Sequence, residues 1–130
     1  MSKITAPFRW AGSKEKLTTT LFAEFLSADA YVEPFLGSGI VLFRLLQEKK
    51  YSRYIVNDIN VSIISLYKAI QSDVQTVISN LEKIRDLYNN EEDKQALFYS
   101  SRSQFNTDKS NYTLFWLLQK AGFNGLYTNY

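Results

Sequence analysis

The chain has no cysteine and no histidine. Without cysteine there is no disulfide, no thiolate nucleophile and no cysteine-based metal site. Without histidine the commonest general base is gone. So are the Ser-His and Cys-His nucleophile pairs and the commonest metal ligand. No metal site is expected. Proline occurs only at Pro7 and Pro34, and glycine at five positions. No apolar run approaches the roughly 20 residues that a membrane-spanning helix needs. The first residues, Met1-Ser2-Lys3-Ile4-Thr5, lack the apolar core of a signal peptide. A cytoplasmic protein with no membrane partner is the default expectation. Charge of either sign is also scarce in excess, since 15 basic and 13 acidic residues leave a net +2. That balance is too mild to demand a nucleic-acid partner and excludes none.

What is present suffices for a small globular protein. Hydrophobic residues make up 45% of the 130, and charged residues 22%, a composition that packs a core rather than staying disordered. Aromatics are abundant at 15%, with nine Tyr and nine Phe. Core packing takes most of them, and the excess leaves some for stacking on bases.

The stretch Tyr31-Val32-Glu33-Pro34-Phe35-Leu36-Gly37-Ser38-Gly39 organises the rest. It reads as strand, tight loop and then helix, with the apolar run Ile40 to Leu46 following. Gly37 and Gly39 permit positive φ and close approach of a ligand to the main chain. The loop would aim N–H groups and a helix N-terminus at that ligand. A second short strand, Tyr54 to Asn57, ends in Asp58. An acidic residue at the tip of a second strand, about twenty residues beyond the glycines, is where a doubly wound sheet holds a ribose. The third glycine of the dinucleotide fingerprint is absent, because Leu42 stands there. An ordinary strand-turn-helix with a surface aspartate gives the same spacing.

Upstream, Trp10 and Lys14 flank Gly12 just before a helix expected over Leu17 to Phe25. Gly12-Ser13-Lys14 lacks the upstream glycine of a triphosphate-binding loop. Trp10 reads either as a core anchor or as an aromatic wall of a pocket, with Lys14 near a carboxylate or phosphate. Helix two is expected over Ile40 to Glu48, with Leu42, Leu45 and Leu46 at helical spacing. Lys49, Lys50 and Arg53 read as solvated surface.

After Asp58 the pattern becomes helical. Asn60 or Ser62 could cap a helix through Ile70. Ser72 or Asp73 could cap the next, whose apolar set Val74, Val77, Ile78, Leu81, Ile84, Leu87 and Tyr88 predicts an amphipathic helix. Asn89 to Asp93 reads as a polar loop. Further helices are expected from Lys94 to Phe105 and from Tyr112 to Ala121. The first sixty residues thus read α/β and the remainder all-helical. Two strands do not make a stable parallel sheet, so the sheet is expected to begin here without being completed.

Four blocks resemble one family. They are Phe8-Arg9-Trp10-Ala11-Gly12-Ser13-Lys14, Val32 to Gly39, Asn57-Asp58-Ile59-Asn60 and Phe123-Asn124-Gly125-Leu126-Tyr127. In this order and approximate spacing they look like the Dam-type adenine-specific DNA methyltransferases, over nearly the whole chain. The resemblance implies an α/β class: the start of a Rossmann-like methyltransferase fold in residues 1–61, then an all-helical target recognition domain in 62–130, incomplete at its C-terminal end. The implied cofactor is S-adenosylmethionine. Trp10 and Lys14 would line its pocket, Lys14 near the methionine carboxylate. Pro34 to Gly39 would wrap methionine and sugar, with Glu33, Pro34, Phe35, Gly37 and Gly39 as cofactor-binding residues. Asp58 would accept from the ribose hydroxyls, and Ile59 would pack on the adenine ring.

The implied partner is double-stranded DNA. Asn124, Gly125, Leu126 and Tyr127 would contact it, with a side chain entering the stack where the target adenine flips out. Two departures from the family pattern stand out. Thr128 replaces an arginine that reads a guanine edge, and it cannot make a bidentate contact. The family's Asp-Pro-Pro-Tyr catalytic tetrad is absent, as Pro7 and Pro34 are the only prolines. The expected function is therefore the N-terminal part of an adenine methyltransferase, with no catalytic residue in this chain. The further partner this implies is a C-terminal half or subunit carrying the tetrad. The alternative is a non-catalytic module that binds S-adenosylmethionine or DNA. A nicotinamide-linked Rossmann enzyme fits less well, given Leu42 and the helical second half.

Overall fold

The computed structural model describes residues 4–122 and divides the chain into two compact units, residues 1–59 and 60–130. In the first unit a 3₁₀ turn, Glu15–Leu17, leads into α1 (Thr18–Glu24). Then come β1 (Ala30–Glu33), α2 (Ile40–Glu48) and β2 (Arg53–Val56). The helix expected from Leu17 therefore starts one residue later and ends at Glu24. Its first turn is 3₁₀, with no side chain capping either start.

The two strands pair in parallel, Ala30 opposite Arg53 through Glu33 opposite Val56. The ladder runs on past the strands. Asn57 N–H donates to Glu33 O at 2.8 Å, and Leu36 N–H donates to Asn57 O at 2.9 Å. Parallel strands need a crossover between them, and α2 supplies it.

Alternation along the strands gives the sheet two unlike faces. Tyr31 and Tyr54 pack with Phe22, Phe25 and Tyr51 on a core of Ile40, Val41 and Leu45. Val32 and Ile55, which lie opposite each other, are 61% and 51% exposed. Leu46, expected on the inner face of α2, points outward instead, and Ile40 and Val41 take the buried positions. The three tyrosines are core residues rather than free stacking platforms. Tyr54 Oη donates to Leu45 O at 3.0 Å and accepts from Tyr51 N–H, while Tyr51 Oη donates to Leu26 O. Each ring buries its apolar body and keeps its hydroxyl bonded, as buried tyrosines must.

In the second unit the described residues form four helices, α3 (Val61–Ser72), α4 (Val74–Asn90), α5 (Lys94–Thr107) and α6 (Tyr112–Ala121). Each starts on an Asn or Asp whose side chain accepts from first-turn N–H groups. Asn60 accepts from Ser62 and Ile63, Asp73 from Thr76, Asp93 from Ala96, and Asn111 from Leu114. Of the paired cap candidates, Asn60 and Asp73 serve. Ser62 is buried and its hydroxyl donates to Lys109 O at 2.7 Å. The most apolar helix, α6, packs against α3, α4 and α5. Leu118 and Phe115 on it are buried, as are Phe105, Leu66 and Ile63 on the neighbouring helices, and the Phe105 and Phe115 rings lie 6.3 Å apart. The long face read on α4 is only partly used. Val77 is buried, whereas Val74, Ile78 and Leu87 are about half exposed. That helix also runs through Asn89 and Asn90, which the polar composition assigned to a loop.

These packing roles set the expected cost of substitutions. Asn111→Ala should lose about 1 kcal/mol, the usual worth of an N-cap. Leu118→Ala, at a fully buried site, should lose about 2–5 kcal/mol through the cavity it leaves. Urea denaturation followed by circular dichroism measures both, and a smaller loss for Leu118→Ala than for Asn111→Ala would contradict the assigned core.

Candidate functional site

A cleft of about 640 Å³ opens at the carboxyl ends of β1 and β2. Ligands of open α/β sheets bind at this position. Its floor is the loop after β1, one wall is Trp10 to Lys14, and the other is Asp58.

The loop is held by backbone conformation and one carboxylate. Gly37 and Gly39 have φ of 53° and 72°, the left-handed region where a side chain is strained. Gly39 N–H donates to Leu36 O, and Gly39 O then accepts from Phe43 N–H as α2 begins. Gly37 N–H donates to Asp58 Oδ2 at 2.8 Å. A Cβ on Gly37 would lie 3.0 Å from Cδ1 of Trp10. Glycine at 37 thus permits both the turn and the close approach of the indole. Trp10 is half-buried and stands edge-on to the buried Phe8, ring centroids 6.0 Å apart. It packs against Phe8 and lines the cleft at once.

Seven of the residues singled out from sequence line this cleft: Trp10, Lys14, Glu33, Pro34, Phe35, Gly37 and Asp58. Lys14 is exposed, and its Nζ donates to Gly12 O at 2.8 Å. Phe35 is 85% exposed. Gly39 is buried and caps α2, shaping the loop without lining the cleft. Ile59 is 95% exposed and also lies off the lining. Asn124, Gly125, Leu126 and Tyr127, with Thr128, lie outside the described residues. Val32, Ser13 and Ser38 line the cleft and were not singled out. The two serine hydroxyls stand 3.5 Å apart across the wall and floor, and no spacing rule marks such a pair.

The electrostatics centre on Glu33. Burial, and then the Asp58 carboxylate nearby, push its carboxyl up to about 7, while the Tyr31 hydroxyl bonded to it works in the opposite direction. The same burial, with the Glu33 charge, pushes the Tyr31 phenol well above its ordinary value. Glu33 Oε2 is shielded from solvent and has no hydrogen-bond partner among the described residues. Tyr31, which bonds Glu33 from behind the cleft lining, was likewise not singled out from sequence. Strand alternation could have found it, since positions 31 and 33 share a face. Among the described residues there is no cluster of three or more metal-ligating side chains, and no helix is long and apolar enough to cross a membrane.

With that geometry in place, comparison with known proteins identifies the class. Residues 10–130 match the model of the D12 class N6 adenine-specific DNA methyltransferases. A type II methyltransferase, M.MjaIII, of Methanocaldococcus jannaschii is 34% identical over 137 residues, covering 93% of this chain and 47% of that protein. The DNA adenine methylase of Salmonella typhi is 32% identical over 129 residues, covering 97% and 44%. That of Serratia marcescens is 31% identical, covering 97% and 45%. The chain belongs to the D12 class of adenine-specific DNA methyltransferases. It spans about half the length of the curated relatives it matches.

The raised Glu33 carboxyl has a stability consequence. The folded state holds this proton more tightly than the unfolded chain does. The resulting stabilisation is complete below about 4.5, the ordinary value, and is lost as pH rises through about 7. Glu33→Gln removes the titration. Its melting temperature should therefore exceed that of the wild type at pH 8, with the difference shrinking towards pH 4.5. Thermal scans at several pH values check this; a constant difference across that range would contradict the assignment.

Proposed function

We propose that residues 1–130 supply the cofactor-facing loop and part of the DNA-facing surface of an adenine-specific DNA methyltransferase. In this reading the first unit begins a Rossmann-like methyltransferase sheet, and the helices from about residue 62 onward belong to a target recognition domain. The observation that carries the cofactor side is the Gly37–Asp58 bond. It joins the glycine loop to the acidic tip of the second strand within one cleft, as a nucleoside pocket requires.

S-adenosylmethionine, the methyl donor, supplies an electrophilic methyl group on a sulfonium. The residues present fit it. The left-handed glycine at 37, with no room for a Cβ, lets a ligand lie against the main chain. Lys14 at the rim suits the methionine carboxylate, and Trp10 offers an aromatic wall. Pro34 to Gly39 wrap methionine and sugar. Asp58 accepts from the ribose hydroxyls while its Oδ2 secures Gly37. Ile59, almost fully exposed, offers an apolar surface to the adenine. Asn124 to Tyr127 contact duplex DNA, with Leu126 as the wedge beside a flipped adenine. A net charge of +2 makes that binding modest and salt-dependent.

No Asp-Pro-Pro-Tyr tetrad occurs in these residues, so the group that holds the acceptor amine must come from another polypeptide segment. The Val32–Ile55 face of the sheet, more than half exposed among the described residues, supports this, because parallel sheets are normally covered on both faces. A C-terminal half or subunit is the proposed partner.

Two measurements test this reading. Asp58→Ala should weaken S-adenosylmethionine binding at least tenfold, since a hydrogen bond to a carboxylate is worth roughly 1.5–3 kcal/mol. Asp58→Asn, which keeps an acceptor for Gly37 N–H, separates the clasp from the carboxylate charge. Equal affinity of wild type and Asp58→Ala in calorimetry would place the cofactor elsewhere.

Catalysis is tested by tritium transfer from labelled cofactor to unmethylated DNA. Residues 1–130 alone should transfer nothing, and adding a separately expressed segment that carries the tetrad should restore transfer. Activity of the chain alone would overturn the role given to the tetrad. An inactive mixture of two folded parts would favour a non-catalytic binding module.

A further inference from the structure

Arg44 sits in the middle of α2, between the buried Val41 and the fully buried Leu45. Its side chain is half-buried. Nε and Nη2 are shielded from solvent, and neither has an acceptor among the described residues. These two nitrogens form one edge of the guanidinium, the fork that grips a carboxylate through two parallel N–H···O bonds. No ion pair neutralises Arg44 among the described residues, and the Arg85–Asp86 pair belongs to the other unit.

A carboxyl in such a place can take up a proton and shed its charge. A guanidinium cannot, because it stays protonated at any ordinary pH. Two shielded donors on a fixed charge, with no acceptor, are unfavourable in the unit alone. Water does not reach either nitrogen where it lies. The arginine stem is long and flexible, and because the side chain is only half-buried its fork can turn outward to an arriving acceptor. Two observations say what brings that acceptor. The Val32–Ile55 face of the same unit is more than half exposed, and the chain spans about half the length of the curated relatives it matches. The unit thus has surface for a further polypeptide segment. The acceptor on a polypeptide that matches the fork is an Asp or Glu carboxylate. The tyrosine face of the sheet packs on α2, opposite Val32 and Ile55, so Arg44 marks a second place of contact.

We propose that Arg44 anchors the segment that carries the catalytic tetrad, and that an Asp or Glu of that segment pairs with the Nε–Nη2 fork when the two parts assemble. The inference rests on the C-terminal half or subunit proposed above as partner. In the chain alone the fork lies against the unit with its donors unmet. On assembly it meets the carboxylate, and both donors and the charge are satisfied together. The contact selects for an acid at one position of the partner, which an apolar cover over Val32 and Ile55 does not.

Calorimetric titration of the 130-residue chain with the separately expressed tetrad-bearing segment tests this. Arg44→Met keeps an apolar stem and removes the charge, and it should weaken association about thirtyfold. Arg44→Lys keeps the charge without the fork and should recover only part of that loss. In the chain alone Arg44→Met should melt no lower than the wild type, because an apolar side chain replaces an unpaired, partly buried ion. Neutralising the acids of the segment one at a time should find one whose effect is not additive with Arg44→Met. Equal association of wild type and Arg44→Met overturns the proposal and leaves the proposed partner standing. A marked fall in the melting temperature of Arg44→Met alone means that the fork is bonded within the chain, and overturns it as well. Full affinity in Arg44→Lys, or no acid coupled to Arg44, overturns the carboxylate contact. Self-association of the chain that Arg44→Met abolishes makes a second copy the occupant and overturns the proposal. Failure of the folded wild type to associate with the folded segment overturns the proposed partner and this inference together.

Discussion

The first unit depends on a hydrogen bond between residues 21 positions apart, from Gly37 N–H to Asp58 Oδ2. It ties the loop leaving β1 to the tip of β2, just beyond the last rung of a two-stranded ladder. Two parallel strands make few bonds, and parallel pairs are slightly weaker than antiparallel ones. The bonds that continue past the strands, Asn57 to Glu33 and Leu36 to Asn57, carry the pairing up to that clasp. The loop's left-handed glycines are then held in a conformation that costs little only because they lack a side chain. Trp10 settles against Gly37 for the same reason, and the cleft takes its shape from these contacts.

Against this stabilising frame stand two locally unfavourable side chains, Glu33 and Arg44. Glu33 is half-buried near another carboxylate, and its shielded Oε2 has no hydrogen-bond partner among the described residues. Native proteins leave few such groups, and those they leave tend to mark function. The opposite economy governs the helical unit. There, every described helix has an Asn or Asp cap, and α6 is buried by three neighbours. Among the described residues, the first unit leaves side-chain atoms of Glu33 and Arg44 unmet, whereas the second meets its first-turn N–H groups at each helix start.

The sequence was most legible where local chemistry decides the outcome. The bounds of α2 and α6 follow from a Gly or Asn before an apolar run, and both match the structure residue for residue. Caps at Asn60 and Asp73 follow from side chains able to accept from first-turn N–H groups. The strand-loop-helix around Gly37 and the acidic tip at Asp58 were legible because glycine and strand ends leave distinctive spacings. Inner and outer faces were harder to read. Leu46 and the α4 residues Val74, Ile78 and Leu87 are as apolar as their buried neighbours. Which of them is covered depends on what packs alongside.

By itself, then, the sequence determined the element order, the caps and the glycine turns. All of these follow from interactions between residues a few positions apart, together with the period of apolar side chains. Tertiary structure alone decided that Trp10 both anchors and lines the cleft, and that Tyr31, Tyr51 and Tyr54 form a core cluster instead of a stacking surface. It also decided that Asp58 spends one oxygen on Gly37 and that Glu33 Oε2 is shielded without a partner among the described residues. Burial and desolvation are properties of a packed neighbourhood, built from segments far apart in the chain, and no local pattern of residues encodes them.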